Sequence, residues 1–194
     1  MRVSREKFAE NRQKILEVAG VMFRENGFDG VGVADIMKAC GLTHGGFYGH
    51  FQSKEDLQLE VSRALIAKVE ARWKALIAGA PDRPLEALLD HYVSWLSVDN
   101  PGSSCVFVAL MEEVSRSSGA VRETFNDGLS TLVDILAEIV QGDTPEERRE
   151  NGFTTLSSMM GAVSLARAVE NRELAGQFLS TMREKLAPAK SVDA

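Results

Sequence analysis

The chain has 194 residues, of which 44% are hydrophobic and 26% are charged, proportions typical of globular proteins. This composition excludes fibrous repeats and extended disorder, and the length predicts one or two domains. No apolar run approaches the ~20 residues of a membrane span, and two cysteines exclude a disulfide scaffold. The amino terminus also lacks the apolar stretch of a signal peptide, so we expect a soluble, cytoplasmic protein.

The charge of the chain is unevenly distributed. The net charge is −6, which argues against indiscriminate nucleic-acid binding. Residues 1–56 contain eight basic and eight acidic side chains, whereas the other 138 residues contain fourteen basic and twenty acidic ones. The first 14 residues have a net charge of +3. A basic start to an acidic chain indicates a distinct role for the amino-terminal segment.

Apolar residues recur at helical spacing along the whole chain, and no segment shows the alternation of a strand. Capping residues, glycines and prolines predict helices at about 8–26, 33–40, 43–50, 54–78, 84–98, 104–117, 120–140, 145–170 and 172–187. Ser53 with Asp56, and Thr144 with Glu147, have the spacing of a capping box at two of these starts. We therefore predict an all-α fold of about nine helices.

Residues 27–57 contain the most informative pattern. Two short helices joined by a tight turn at Gly41 and docked on a first helix form a helix-turn-helix. The second short helix contains three glycines, Gly45, Gly46 and Gly49. Each costs about 1 kcal/mol relative to alanine, which is understandable if the helix backbone approaches a partner closely. Phe47 and Phe51 lie four residues apart and are expected to anchor the helix on its inner side.

The segment THGGFYGHFQSKEDL, preceded by ADIMKACGL and ILEVAGVMFRENGF, resembles the amino-terminal domain of the TetR family of transcriptional regulators. Its aromatic residues, its glycines and its Ser-Lys pair fall in register with that family. The resemblance implies a helix-turn-helix DNA-binding domain over residues 1–54 and an effector-binding and dimerisation domain over residues 55–194. One departure is Gly32, because many members have a Ser or Thr there that caps the second helix and touches phosphate.

The resemblance also implies that the helix at 43–50 enters the major groove of DNA. The predicted DNA-binding residues are Thr43, His44, Gly45, Gly46, Tyr48, His50, Lys54 and Arg5. Thr43, Tyr48 and Lys54 are suited to phosphate contacts. His44, Gly45 and Gly46 are suited to contacts with base edges, and His50 is suited to either kind of contact. Tyr48 as a half-buried structural residue is the alternative. Arg5, with Arg2 and Lys7, forms either an arm that reaches DNA or a solvated end.

A set of apolar residues from separate helices is the predicted effector pocket, with ordinary core packing as the alternative. The set is Trp95, Phe107, Met111, Phe125, Met159 and Met160. The absence of an obvious buried cationic cluster in the sequence favours an uncharged or apolar small molecule as the effector. The pair Glu112-Glu113 is interpreted as helix surface, unless Glu112 points into a ligand cavity.

A stripe of small residues on the predicted helix at 145–170, joined by apolar residues of the last helix, predicts a homodimer interface. The residues are Ser157, Gly161, Ser164, Ala168, Leu174 and Phe178. The alternative is that the stripe packs against another helix of its own subunit. Two further residues are Cys40, predicted to be a buried small hydrophobe, and Cys105, which opens a helix and is either packed or redox-sensitive.

No catalytic arrangement stands out in the sequence. His44 and His50 lack the four-residue spacing of a helical zinc pair, and no glycine-rich phosphate loop follows a strand. We therefore predict no catalytic residue, no metal and no cofactor. The predicted function is a repressor that a small-molecule effector releases from palindromic double-stranded DNA. The alternative is a helical small-molecule binding protein or enzyme with a vestigial helix-turn-helix.

Overall fold

The computed structural model describes residues 4–117 and 119–187, and within these ranges it contains helices and no strand. Its nine α-helices are α1 (Arg5–Asn26), α2 (Val33–Ala39), α3 (Lys54–Ala78), α4 (Pro84–Tyr92), α5 (Trp95–Asp99), α6 (Val106–Arg116), α7 (Ala120–Ala137), α8 (Pro145–Ala168) and α9 (Arg172–Leu186). Two short 3-10 helices cover His44–Gly49 and Pro101–Ser103. The all-α prediction is confirmed. Over the same described ranges, none of the helices has the length and hydropathy to cross a membrane.

The start of α1 differs from the prediction. The helix begins at Arg5 rather than near residue 8, because the Ser4 hydroxyl accepts a hydrogen bond from the Lys7 N–H at 3.1 Å and caps the first turn. Arg5 and Lys7 therefore lie in a helix, and Lys7 is paired with Glu10. Contact of Arg5 with DNA stays a prediction, now from the first turn of a helix, and Arg2 lies outside the described residues.

The predicted helix at 84–98 is two helices. Val93 has φ −87° and ψ 70°, outside the helical region, and ends α4. Ser94 then caps α5 by accepting a hydrogen bond from the Ser97 N–H. A good N-cap residue inside an apolar periodic stretch can therefore start a new helix, which the periodicity alone did not indicate.

The first compact unit comprises the residues up to Lys68 together with Pro101–Asn126. On α1, Ile15, Ala19 and Phe23 are fully buried at the four-residue spacing of one helix face. Phe107 of α6 packs edge-to-face on Phe125 of α7, with ring centroids 5.2 Å apart. These aromatic and aliphatic contacts form the core that supports the helix-turn-helix segment.

The second compact unit comprises Val69–Asn100 and Asp127–Ala194. Trp73 of α3 packs edge-to-face on Tyr92 of α4, with ring centroids 5.8 Å apart. Helices α8 and α9 contact each other, and Gly152 lets the backbone of α8 approach the Val133 carbonyl of α7. The division between the two units falls within α3, after Lys68. The functional boundary predicted near residue 55 stays a prediction.

Candidate nucleic-acid interface

The helix at His44–Gly49, called the glycine-rich helix below, is held on one side by aromatic residues. Phe47 is fully buried, and its ring stacks on that of Phe51 with centroids 5.6 Å apart. The segment is a 3-10 helix rather than the predicted α-helix, which is common for short pieces of this kind. The prediction that Phe47 and Phe51 anchor it from inside is confirmed.

The other side of the glycine-rich helix faces outward. From residue 43 to residue 49, every residue except Phe47 is exposed, and Tyr48 has 64% of its surface accessible. The His44 ring lies edge-on to the Tyr48 ring at 6.2 Å between centroids. Five of the eight predicted DNA-binding residues therefore form one continuous exposed face, and the half-buried alternative for Tyr48 is wrong.

The three glycines of this helix are not needed by the fold. None of them has a positive φ, the backbone conformation that favours glycine. A Cβ atom added to Gly45 would meet no atom within 4 Å, and one added to Gly46 or Gly49 would make only ordinary van der Waals contacts. Neither backbone conformation nor internal crowding therefore explains three glycines in one six-residue helix.

Two N-caps flank the exposed face. Thr43 is the N-cap of the glycine-rich helix, and its side chain makes no capping hydrogen bond, which leaves the hydroxyl for an external acceptor. The Asp56 N–H donates to Ser53 Oγ at 3.2 Å, and Gln52 N–H donates to Asp56 Oδ2 at 2.9 Å, as the capping-box spacing predicted. This cap fixes the first turn of α3 and so places Lys54 directly after it.

His50 and Arg5 are not part of the exposed face of the glycine-rich helix. The His50 ring stacks on Phe8 of α1 at 4.1 Å between centroids, and its Nδ1 is buried without a hydrogen-bond partner among the described residues. Arg12 lies over the Phe51 ring and forms an ion pair with Glu60. The structure therefore packs His50 against α1, and it places Arg5 on the exposed first turn of that helix.

Gly32 is the N-cap of α2, and no side-chain capping bond is made there. This position therefore supplies no hydroxyl for a phosphate contact, as the sequence indicated. Sequence reasoning overlooked Lys38, which is exposed on the last turn of α2, just before the turn at Gly41. The signal for Lys38 was available, because its neighbours Ile36 and Met37 fill the inner face of α2.

The six predicted pocket residues are divided between the two units. Phe107, Met111 and Phe125 belong to the first unit, and Trp95, Met159 and Met160 belong to the second. Four of the six are buried, whereas 48% of the surface of Met111 is exposed and Trp95 lies under the Arg172 guanidinium at 3.7 Å. A separate cleft of about 370 Å³ in the second unit is lined by α4 and α9 and includes none of the six.

The predicted interface residues all lie on α8 and α9 of the second unit. Ser157, Ala168 and Leu174 are exposed, while Gly161, Ser164 and Phe178 are half-buried. A Cβ atom added to Gly161 would meet nothing within 4 Å. Among the described residues, no helix therefore covers the small-residue stripe at Gly161.

The two cysteines lie in different surroundings. Cys40 is buried, and burial raises the pKa of its thiol while nearby Lys14 acts in the opposite direction, in agreement with its prediction as an inert core residue. Cys105 is the half-buried N-cap residue of α6. Over the described residues, no group of three or more His, Cys, Asp or Glu is arranged to hold a metal ion.

Comparison with known proteins relates this geometry to regulators. Residues 15–61 match the model of the bacterial regulatory proteins of the tetR family. The HTH-type transcriptional repressor DhaR of Mycobacterium sp. strain GP1 is 26% identical over 185 residues, which are 92% of this chain and 93% of DhaR. The reduced form of Escherichia coli NemR superposes with a TM-score of 0.77 at 20% identity, over 94% of this chain and all of that chain.

A further solved structure contains a small molecule together with operator DNA. AibR in complex with isovaleryl coenzyme A and operator DNA superposes with a TM-score of 0.62 at 18% identity, over 92% of this chain and 98% of that chain. At such identities the NemR and AibR structures show a shared fold.

The half-buried His50 ring, stacked on the exposed Phe8, makes stability depend on pH. Burial, and then the positive charge of Arg12, lower the pKa of His50 below its ordinary value of 6.5. The unfolded chain therefore binds the proton more readily, so this contribution to stability is complete above about pH 6.5 and is lost as the pH falls below it. In urea titrations between about pH 7.5 and 5.5, we expect His50→Phe to lose less stability than the wild type.

His44→Phe is the control, since His44 is on the exposed face, and it should follow the wild-type pH profile. His91, whose pKa is lowered by burial and by Arg72, contributes in the same direction in all three proteins. Equal pH dependence of wild type and His50→Phe would contradict the assigned role of the stack.

Proposed function

Since the chain belongs to the TetR family of transcriptional regulators, we propose that it is a repressor that binds a specific operator DNA through the exposed face of the glycine-rich helix. The supporting observation is the presence of three glycines in this helix that neither the backbone conformation nor the packing of the fold requires. Glycine lets the backbone lie close to base edges in the major groove, where a larger side chain would keep it away.

The residue types around these glycines supply the polar contacts. The Thr43 hydroxyl, the Tyr48 phenol and the Lys54 ammonium would contact phosphates on either side of the groove, with Lys38 as an additional cation. His44 is the one side chain of the exposed face suited to a base edge, because imidazole both donates and accepts hydrogen bonds. The phosphate contacts fix the position of the helix, and the base contacts select the sequence.

The overall charge limits binding to DNA of arbitrary sequence. The chain has a net charge of −6, and residues 1–56 are neutral overall. Non-specific affinity comes from phosphate neutralisation by Lys and Arg, so an acidic protein retains little of it. Affinity for the operator would therefore depend on close, shape-matched contacts at the exposed face more than on a broad basic surface.

A palindromic operator requires a dimer, which we propose forms through α8 and α9. The stripe around Gly161 is open in the single chain, and Phe153, Leu165 and Leu174 are exposed apolar residues on the same two helices. Two helices from each subunit would bury these residues in a four-helix contact. The dimer would hold two glycine-rich helices at the spacing of two half-sites.

An effector would release the operator by favouring a different spacing of the two half-sites. We infer an uncharged or apolar small molecule, since no pair of buried cations is found among the described core residues. AibR, which has the same fold, binds both a small molecule and operator DNA, and this supports a ligand-responsive repressor. The protein would act in the cytoplasm as a binding protein, without enzymatic activity, metal or cofactor.

Gly45→Leu tests the close approach of the helix to DNA. Because the added side chain meets open space in the free protein, melting and helical signal should stay near wild type. Operator affinity, measured at matched salt by fluorescence anisotropy, should fall by about a hundredfold or more, and Gly45→Ala should give a smaller loss. Wild-type operator affinity of Gly45→Leu would contradict the placement of this helix in the groove.

Lys54→Ala tests the phosphate contacts. Its affinity should weaken on operator and on unrelated duplexes alike, and the slope of log K against log salt should decrease by about one. Lys68→Ala, an exposed lysine further along α3, is the matched control and should retain the wild-type slope. An unchanged slope for Lys54→Ala would exclude Lys54 from the phosphate contacts.

Gly161→Leu tests the dimer. The leucine has room in the single chain, so the variant should keep its helical signal while becoming monomeric at micromolar concentration in sedimentation experiments. Operator affinity should fall as well, because one half-site alone binds weakly. Ala78→Leu, at an exposed position of α3, is the control and should stay dimeric. A dimeric or unfolded Gly161→Leu would contradict the proposed interface.

A further inference from the structure

Glu113 of α6 makes a contact with the turn after α1, and Gly27 leaves the space for it. Its carboxylate accepts a hydrogen bond from the backbone N–H of Phe28 in the turn between α1 and α2. The preceding residue, Gly27, has φ +76°, and a Cβ atom there would overlap the Glu113 carboxylate and lie 2.8 Å from its Cδ. Phe28 is buried and packs edge-to-face on Phe23 of α1, so its N–H has little access to water.

Two more contacts connect the segment before α6 to the same end of α1. The Arg24 guanidinium donates to the Ser104 carbonyl at 3.2 Å, next to the start of α6. Gly102 lies so close to α1 that a Cβ atom there would overlap Glu25 and approach Val21 Cγ1 to 2.9 Å. Gly102 and Ser104 thus hold the start of α6 against the last turns of α1. Glu113 holds its later part against the turn that follows α1.

The turn held by Glu113 leads directly to the DNA-binding elements. Residues 27–32 connect α1 to α2, and α2 contacts the glycine-rich helix. The Leu42 N–H donates to the Met37 carbonyl at 2.8 Å and fixes the link between these two elements. A displacement of α6 would therefore change the position of the turn, of α2 and of the exposed face together.

We propose that Glu113 is a positioning residue through which α6 controls DNA binding, an inference that rests on the proposed repressor function. The same helix contains Phe107 and the exposed Met111, both predicted as effector contacts. A ligand that displaces α6 at these residues would weaken the bond between Glu113 and Phe28. By linkage, operator DNA must then strengthen that bond, because coupling between two binding events is reciprocal.

The adjacent residue offers a matched control. Glu112 points away from α1, its side chain is 87% exposed, and it pairs with Arg116 one turn later on α6. Glu112→Ala and Glu113→Ala therefore each remove one glutamate carboxylate, and the two carboxylates belong to neighbouring positions of one helix. Glu113→Gln keeps an oxygen that can accept from the Phe28 N–H and should restore most of the function.

The experiment uses the full chain and a duplex selected by the wild-type protein from random DNA. Glu113→Ala should bind this duplex about tenfold more weakly than the wild type, while affinity for unrelated duplexes stays the same. Glu112→Ala and Glu113→Gln should bind close to wild type. In hydrogen exchange of the wild type, the Phe28 amide should exchange more slowly when the selected duplex is bound.

Three results would overturn the inference. The first is wild-type operator affinity of Glu113→Ala, and the second is an equal loss in Glu112→Ala. The third is an exchange rate of the wild-type Phe28 amide that the selected duplex does not change, a measurement that holds even if Glu113→Ala fails to fold. A wild-type protein that selects no duplex would contradict the proposed repressor function, and this inference with it.

Discussion

Burial of Phe47 and Phe51 is the interaction on which the candidate interface depends. A helix of six residues has no stability of its own, because nucleation of a helical turn is unfavourable. Each buried phenylalanine contributes about 1.5–3 kcal/mol, which is enough to hold so short a segment in place. With these two rings inside, the other residues of the helix are exposed and are available to a partner.

The buried rings of Phe47 and Phe51 also explain how three glycines can be part of this helix. Glycine weakens helices because it loses the most backbone freedom on folding, and here that cost is offset by the rings beside it. The result is a backbone that is exposed at Gly45, Gly46 and Gly49. A surface of this kind can approach a groove closely and gain specificity from contact, while the acidic remainder of the chain disfavours indiscriminate binding to DNA.

Several features determined by local sequence were predicted correctly, although the local caps at Ser4 and Ser94 were missed, and features determined by distant contacts were not predicted. The N-cap at Thr43, the cap at Ser53 and the burial of Phe47 follow from residue type and spacing within a few positions. The division of the helix at 84–98 depends on Val93 leaving the helical region, which periodicity does not encode. Placement of the Trp95 ring under Arg172, far along the chain, was equally inaccessible.

Glu113 illustrates the same limit. In sequence it is half of an acidic pair on an amphipathic helix, and both members have the pattern of surface residues. Only the fold brings it to the end of α1, where the missing side chain of Gly27 leaves room for the carboxylate. The reason for a glycine at residue 27 thus lies partly in a side chain of α6.

We propose that the exposed face of the glycine-rich helix reads a DNA sequence. Incubation of the wild-type protein with a pool of random duplexes, followed by sequencing of the DNA that stays bound, shows whether this claim holds. We expect enrichment of one inverted repeat, whose half-site centres are about 10 base pairs, or a multiple of that, apart. Bound DNA with the same sequence distribution as the starting pool would contradict the claim.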